Sequence, residues 1–367
     1  MKLCRHLPGA FFAFVTTVAL VGCASTGPPM PPTLELPKPP TDLTATRKGD
    51  RVYLSWTQPV QTTDRQSIRH MGATRVCRSL GTAMEHCDTP VGEVPYQELA
   101  PAATAKKIQT SAKMHYSDTL DASVERQNLL ERFTYAVEVL NQSGRGAGPS
   151  NRVQVPAAPV LPPPSDFAAN VTAAGVVLTW SGMTDPHEAP EISHFYRVYR
   201  QEETTQNSTP IADLPLTGPG EVSFVDHSFE WEKKYEYRLT VVTFVSQPNQ
   251  PEVQVEGDDA TPVQVFTRDV FPPGVPSGLQ AVSSGIELQP FVDLIWAPDA
   301  DADLAGYNVY RSEPGSAEIK LNAKPVNTPA YRDSSVVRGK KYVYSVTAVD
   351  LRGNESGRSE KAEESVP

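Results

Sequence analysis

The segment GVVLTWSGM, Gly175–Met183, sets Val176, Leu178 and Trp180 on one face of an extended chain and Val177, Thr179 and Ser181 on the other. A period of two that ends in tryptophan and breaks at glycine describes a strand with one face in a core. The same pattern stands at RVYLSWTQP (Arg51–Pro59, with Trp56) and at FVDLIWAPD (Phe291–Asp299, with Trp296). Three copies of one strand at domain-sized intervals imply three copies of one structural unit.

The copies continue downstream. A second alternating strand follows each tryptophan: ATRVCRS (Ala73–Ser79), FYRVYRQ (Phe195–Gln201) and GYNVYRS (Gly306–Ser312). Next comes an aromatic residue with aspartate two positions on: Tyr116 and Asp118, Phe224 and Asp226, Tyr331 and Asp333. RFTYAVEV (Arg132–Val139), KYEYRLTV (Lys234–Val241) and KYVYSVTAV (Lys341–Val349) close the units. Val, Tyr and Thr in period two, punctuated by Gly, Pro and Asp, predict antiparallel sheets, and no segment carries a long amphipathic helical period.

This set of marks resembles the fibronectin type III domain, an immunoglobulin-like sandwich of two antiparallel sheets. The resemblance implies an all-β chain, a tandem array of three antiparallel β-sandwiches. It places Trp56, Trp180 and Trp296 in the cores on strand B, and makes Tyr235 and Tyr342 the tyrosine corners at the start of strand F. The first unit departs from the pattern: Phe133, without a hydroxyl, holds its corner position, and its strand C has Arg75 and Val76 where Tyr196–Val198 and Tyr307–Val309 stand in the others.

Proline-rich runs divide the chain. GPPMPPTLELPKPP (Gly27–Pro40), VPAAPVLPPPS (Val155–Ser165) and FPPGVPSG (Phe271–Gly278) read as a spacer and two boundaries. The expected organisation is a Pro-rich tether over 23–40, then domains at 41–156, 161–268 and 273–362, the first with a long region between Arg78 and Tyr116. Residues 1–22 read as a signal peptide, with Lys2 and Arg5 ahead of the apolar run FFAFVTTVALVG, which is too short to span a bilayer. That run ends Leu20-Val21-Gly22-Cys23, which resembles the lipobox of bacterial lipoproteins. The resemblance implies acylation of Cys23, membrane attachment through it and, with Ala24 rather than Asp next, the outer membrane rather than the inner one.

With the signal removed and Cys23 lipidated, Cys77 and Cys87 remain, an even pair in an oxidising compartment, and they are expected to form a disulfide. The formal net charge of −10, with no long basic run, excludes nucleic acid as a partner. Asp299, Asp301 and Asp303 alternate between strands B and C of the third unit. Counted from Asp299, the sixth and twelfth positions of a calcium loop are Leu304 and Tyr310 rather than Gly and Glu, so the run reads as a loop and no metal is expected. His70, His86, His115, His187, His194 and His227 form no metal motif with the cysteines, and there is neither a nucleophile elbow nor a phosphate loop. No catalytic residue and no cofactor is expected. The sequence thus describes a lipid-anchored envelope array that binds a protein or polysaccharide, with an accessory or spacer role in a carbohydrate-active system as the alternative.

Overall fold

The computed structural model describes residues 34–81, 83–97, 112–186, 189–287 and 289–367. The signal segment, Cys23, Ala24, the start of the Pro-rich spacer, residues 98–111 and His187 lie outside them. The first unit comprises β1 (Thr44–Lys48), β2 (Arg51–Thr57), β3 (Met71–Leu80), β4 (Pro90–Val94), β5 (Lys113–Thr119), helix α1 (Ala122–Gln127), β6 (Arg132–Asn141) and β7 (Val153–Pro156). The second comprises β8 (Ala168–Thr172), β9 (Gly175–Ser181), β10 (Ile192–Glu202), β11 (Thr209–Pro215), β12 (Glu221–Asp226), β13 (Lys234–Val245), β14 (Val253–Glu256) and β15 (Val263–Phe266). The third comprises β16 (Gln280–Ser283), β17 (Val292–Ile295), β18 (Leu304–Ser312), β19 (Ile319–Lys320), β20 (Ala330–Asp333), β21 (Lys341–Asp350) and β22 (Ala362–Ser365).

Each unit is two sheets face to face. The smaller sheets run β1-β2-β5, β8-β9-β12 and β16-β17-β20; the larger run β4-β3-β6-β7, β11-β10-β13 and β19-β18-β21-β22, with β14 and β15 both paired to β13. Alternation sends Val52, Leu54 and Trp56 inward against Val76, Tyr135 and Val137, and Trp180 and Trp296 take the same place in the other cores. Trp180 meets the Tyr196 ring at 5.3 Å and Trp296 meets Tyr307 at 5.2 Å, both T-shaped, a geometry that suits the aromatic quadrupoles.

The first unit's departures compensate one another. Met183 N–H donates to Tyr196 Oη at 2.6 Å and Asp299 N–H to Tyr307 Oη at 2.7 Å, tying the loop after the tryptophan to the next strand. Three residues after Trp56 stands Pro59, which has no N–H, and the position of the two tyrosines is Thr74, which has no phenol. At the corners, Tyr235 Oη accepts from Glu230 N–H and Tyr342 Oη from Val337 N–H, each at 3.1 Å. Phe133 cannot accept, and the N–H five residues before it, that of Asn128, is taken by the Glu125 carbonyl at 3.0 Å as the cap of α1. This helix, which no sequence period announces, replaces the corner: Asp121 caps its start, and buried Glu125 pairs with Arg47.

Two assignments of chain shift. Residues 34–40, read as part of the spacer, pack on the first unit: Pro37 bridges Thr62, Lys38 N–H donates to Gln61 O and Thr63 N–H to Leu36 O, both at 3.0 Å. The third unit continues past 362, since β22 runs to Ser365 and Val366 lies in the core.

The units are joined by more than linkers. β1 pairs in parallel with β14 at Lys48↔Glu256, the one parallel pairing among the described strands, and Gly49 N–H donates to Glu256 O at 2.8 Å. Lys48 Nζ sits 2.8 Å from both Glu256 and Asp259. Gly49 has φ +60°, and a Cβ there would lie 2.5 Å from the Asp258 carboxylate, so any larger residue must displace that side chain and bear the strain of a left-handed turn. The proline-rich connection beyond is buried at Ala157 and Ala158, and Thr243 Oγ1 donates to Pro159 O at 3.0 Å.

Candidate functional sites

One polar constellation recurs in all three units. Arg78, Arg200 and Arg311, the residues that follow Cys77, Tyr199 and Tyr310, reach the carboxylates of Asp118, Asp226 and Asp333, each at 2.7 Å. Tyr135, Tyr237 and Tyr344 donate to the same carboxylates at 2.7, 2.9 and 3.0 Å. Burial, reinforced by the neighbouring aspartate, holds all three phenols far above the usual tyrosine range, so they remain protonated donors. Each arginine also lies over the aromatic ring at its own corner, Phe133, Tyr235 or Tyr342, at 5.4, 5.1 and 4.9 Å. A carboxylate between a phenol and a guanidinium could pass for acid–base machinery. Here the tyrosine is buried, every group is spent on another, and the triad links strands of both sheets: it is packing. The sequence reading found the aspartates but missed the arginines, whose repeat at one offset from strand C was the available signal.

Cys77 and Cys87 are joined by a disulfide, with Cα atoms 5.5 Å apart. Val76 enters the core while Cys77 faces outward, where Met84, Ala136 and Cys87 cover it. The bridge therefore pins the hairpin between β3 and β4 onto the outer face of the sheet. Cys23 lies outside the described residues.

The three alternating aspartates divide. Asp299 Oδ1 accepts from Asp301 N–H at 3.0 Å, and Asp301 Oδ2 accepts from Gly274 N–H at 2.8 Å, so these two fix the loop against the linker. Asp303 turns away to meet Asp269 of the linker and Asp350 at the end of β21, with one carboxylate oxygen of each within 4.8 Å of the others. Asp269 and Asp350 are buried, and Asn354 Nδ2 bridges Asp269 O at 3.3 Å and Asp350 Oδ2 at 2.7 Å. Burial first, then the charges of Asp269 and Asp350, push the Asp303 carboxyl above the usual carboxylate range. Three oxygens of hard carboxylates are a donor set that suits calcium or magnesium better than zinc. Because Asp269 and Asp350 lie 34 and 47 positions from Asp303, no local motif could expose the grouping. Among the described residues, buried His194 pairs with Asp185 at 3.0 Å and exposed His70 with Glu35 at 2.9 Å.

Architecture and packing define a class: the chain is a tandem array of three antiparallel β-sandwiches of the fibronectin type III type. No family model matches it. It is similar to amylopullulanases of Thermoanaerobacterium saccharolyticum (38% identity over 92 residues), Thermoanaerobacterium thermosulfurigenes (36% over 95) and Thermoanaerobacter thermohydrosulfuricus (43% over 72). These stretches are 25%, 26% and 20% of this chain and span only 7%, 5% and 5% of the three enzymes. Among solved structures it is similar to a Fn3-like protein from Clostridium thermocellum, with 31% identity, 26% of this chain and 96% of that one covered, and a TM-score of 0.23. It is also similar to the FN1–FN3 domains of chicken CNTN1, with 12% identity, 90% and 100% covered, and a TM-score of 0.27.

Proposed function

We propose that the chain is a non-catalytic array, attached to the bacterial envelope through lipidated Cys23, that presents sandwich faces and loops to a partner. The observation that carries this reading is the threefold Arg–Asp–Tyr triad. The arrangement most like catalytic machinery is spent identically on packing in every unit, which leaves outer faces and loops as the parts free to differ. A second reading, an accessory role in handling carbohydrate, is favoured by the similarity to amylopullulanases over about one domain's length. Crosslinking in intact cells followed by capture of the tagged chain from membranes tests the first reading. An envelope protein or polysaccharide captured with wild type and lost when Cys23→Ser releases the chain supports it; catalytic turnover by the purified chain, or unchanged membrane partitioning of Cys23→Ser, overturns it.

A further inference from the structure

The solvent side of the larger sheet in the second unit holds a depression of about 420 Å³, between β10, β13 and β15, within the size range of small-molecule sites of roughly 300–1,000 Å³. Strand register builds it. Gln201 lies opposite Glu236, and Glu236 opposite Gln264, forming a row across three strands, while Lys234 lies opposite Phe266 in the next row. Tyr235 and Tyr237 alternate with Lys234 and Glu236 on β13 and pack in the core, Tyr235 also bordering the depression.

The lining is selective by chemistry. Its charges are already engaged: Lys234 Nζ is 3.3 Å from Glu203, and Gln264 Nε2 donates to Glu236 at 3.1 Å. An anion would meet two carboxylates against one ammonium, and Gln201, whose Nε2 donates to Thr205 O at 2.8 Å, keeps an amide oxygen for a donor. Phe266, 48% exposed, offers an apolar ring beside this polar row. An apolar surface next to paired amide and carboxylate groups matches a neutral sugar ring, which has a C–H face and a rim of hydroxyls that both donate and accept. We infer that this depression is a binding site for a neutral glycan, with the Phe266 ring under a sugar face and Gln201, Glu236 and Gln264 on its hydroxyls. The inference rests on the carbohydrate-handling reading and gives it a location.

Calorimetric titration of the full chain with maltoheptaose, cellohexaose and chitohexaose tests it. Saturable binding of at least one is expected, weakened about tenfold in Phe266→Ala and in Gln264→Ala as for central contacts of an interface, with melting temperatures unchanged. Absence of saturable binding to all three, or binding that both substitutions leave intact, overturns the site. Equal retention of wild type and of Phe266→Ala on an insoluble polysaccharide would separate the two outcomes, since the carbohydrate-handling reading then stands while this site falls.

Discussion

Arg47 on the first strand and Glu125 on the only described helix form an ion pair whose side chains are 2% and 5% exposed. Arg47 also donates to Gly49 O at 3.1 Å and to Pro156 O, so one guanidinium holds the first hairpin, the helix and the end of β7 together. Removing one partner of a buried pair leaves a desolvated charge behind. Glu125→Ala is therefore expected to destabilise the first unit by about 3–5 kcal/mol, and a double change of Arg47 and Glu125 to Met and Leu by much less. Chemical denaturation of the full chain, with hydrogen exchange read in the first unit, measures both.

The corner tyrosines give a contrast. Tyr235→Phe and Tyr342→Phe each remove the acceptor for a backbone N–H, at an expected cost of about 1 kcal/mol or somewhat more. Phe133→Tyr, the reverse change, is expected to gain nothing, because the Asn128 N–H is already committed to Glu125 O. Equal gains from Phe133→Tyr would show that α1 does not replace the corner.

Acid should act in two opposite stages. The Asp303 carboxyl is raised above its unfolded value by burial and by Asp269 and Asp350, so its contribution to the junction between the second and third units is full below the unfolded value and lost as pH rises through the folded one. Asp226 and Asp333 are lowered: burial opposes this, but hydrogen bonds from Ser228 and Ser335, the tyrosine hydroxyl on Asp226 and the charges of Arg200 and Arg311 prevail. Their contribution is present above the unfolded value of 3.8 and is lost as pH falls through the folded one. Mild acidification should thus first protect the 267–274 linker from protease, and stronger acid should then melt the second and third units. Asp303→Asn should give the protected linker at neutral pH and abolish the first stage.

Gly49→Ala should loosen the first junction without unfolding either unit. A methyl there pushes on the Asp258 carboxylate and holds a left-handed φ that costs alanine more than glycine. Faster proteolysis between residues 156 and 162 is the expected result, with the first unit itself destabilised only by the roughly 1–2 kcal/mol that a side chain costs at this φ.

Local pattern carried the architecture well because each sandwich is built from strands that bury alternate residues. The resemblance to the fibronectin type III domain placed Trp56, Trp180 and Trp296 in the cores and Tyr235 and Tyr342 at the corners. Contacts that cross units could not. Lys48 and Glu256 are 208 positions apart, and nothing in ATRKGD or VQVEGD marks them as partners. A buried arginine such as Arg47 stands in a polar, alternating stretch and reads as solvated. The triad arginines went unnoticed for the same reason: a charge in a half-exposed strand is ordinarily on the wet side, and only the threefold repeat argues otherwise.

The pairing of β1 with β14 has a consequence for any attempt to use the units separately. A terminal strand of a sheet presents open backbone donors and acceptors on which another chain can template, and proteins shield such edges to avoid aggregation. In this chain the end of that edge in the first unit, at Lys48 and Gly49, is covered by β14 of the second unit, held by Lys48 between Glu256 and Asp259. The first two sandwiches are thus poor candidates for modular exchange: excised, the first bares the backbone of β1 at Lys48, and the second leaves Glu256 and Asp259 without Lys48, with Arg197 and Arg238 the cations still beside them.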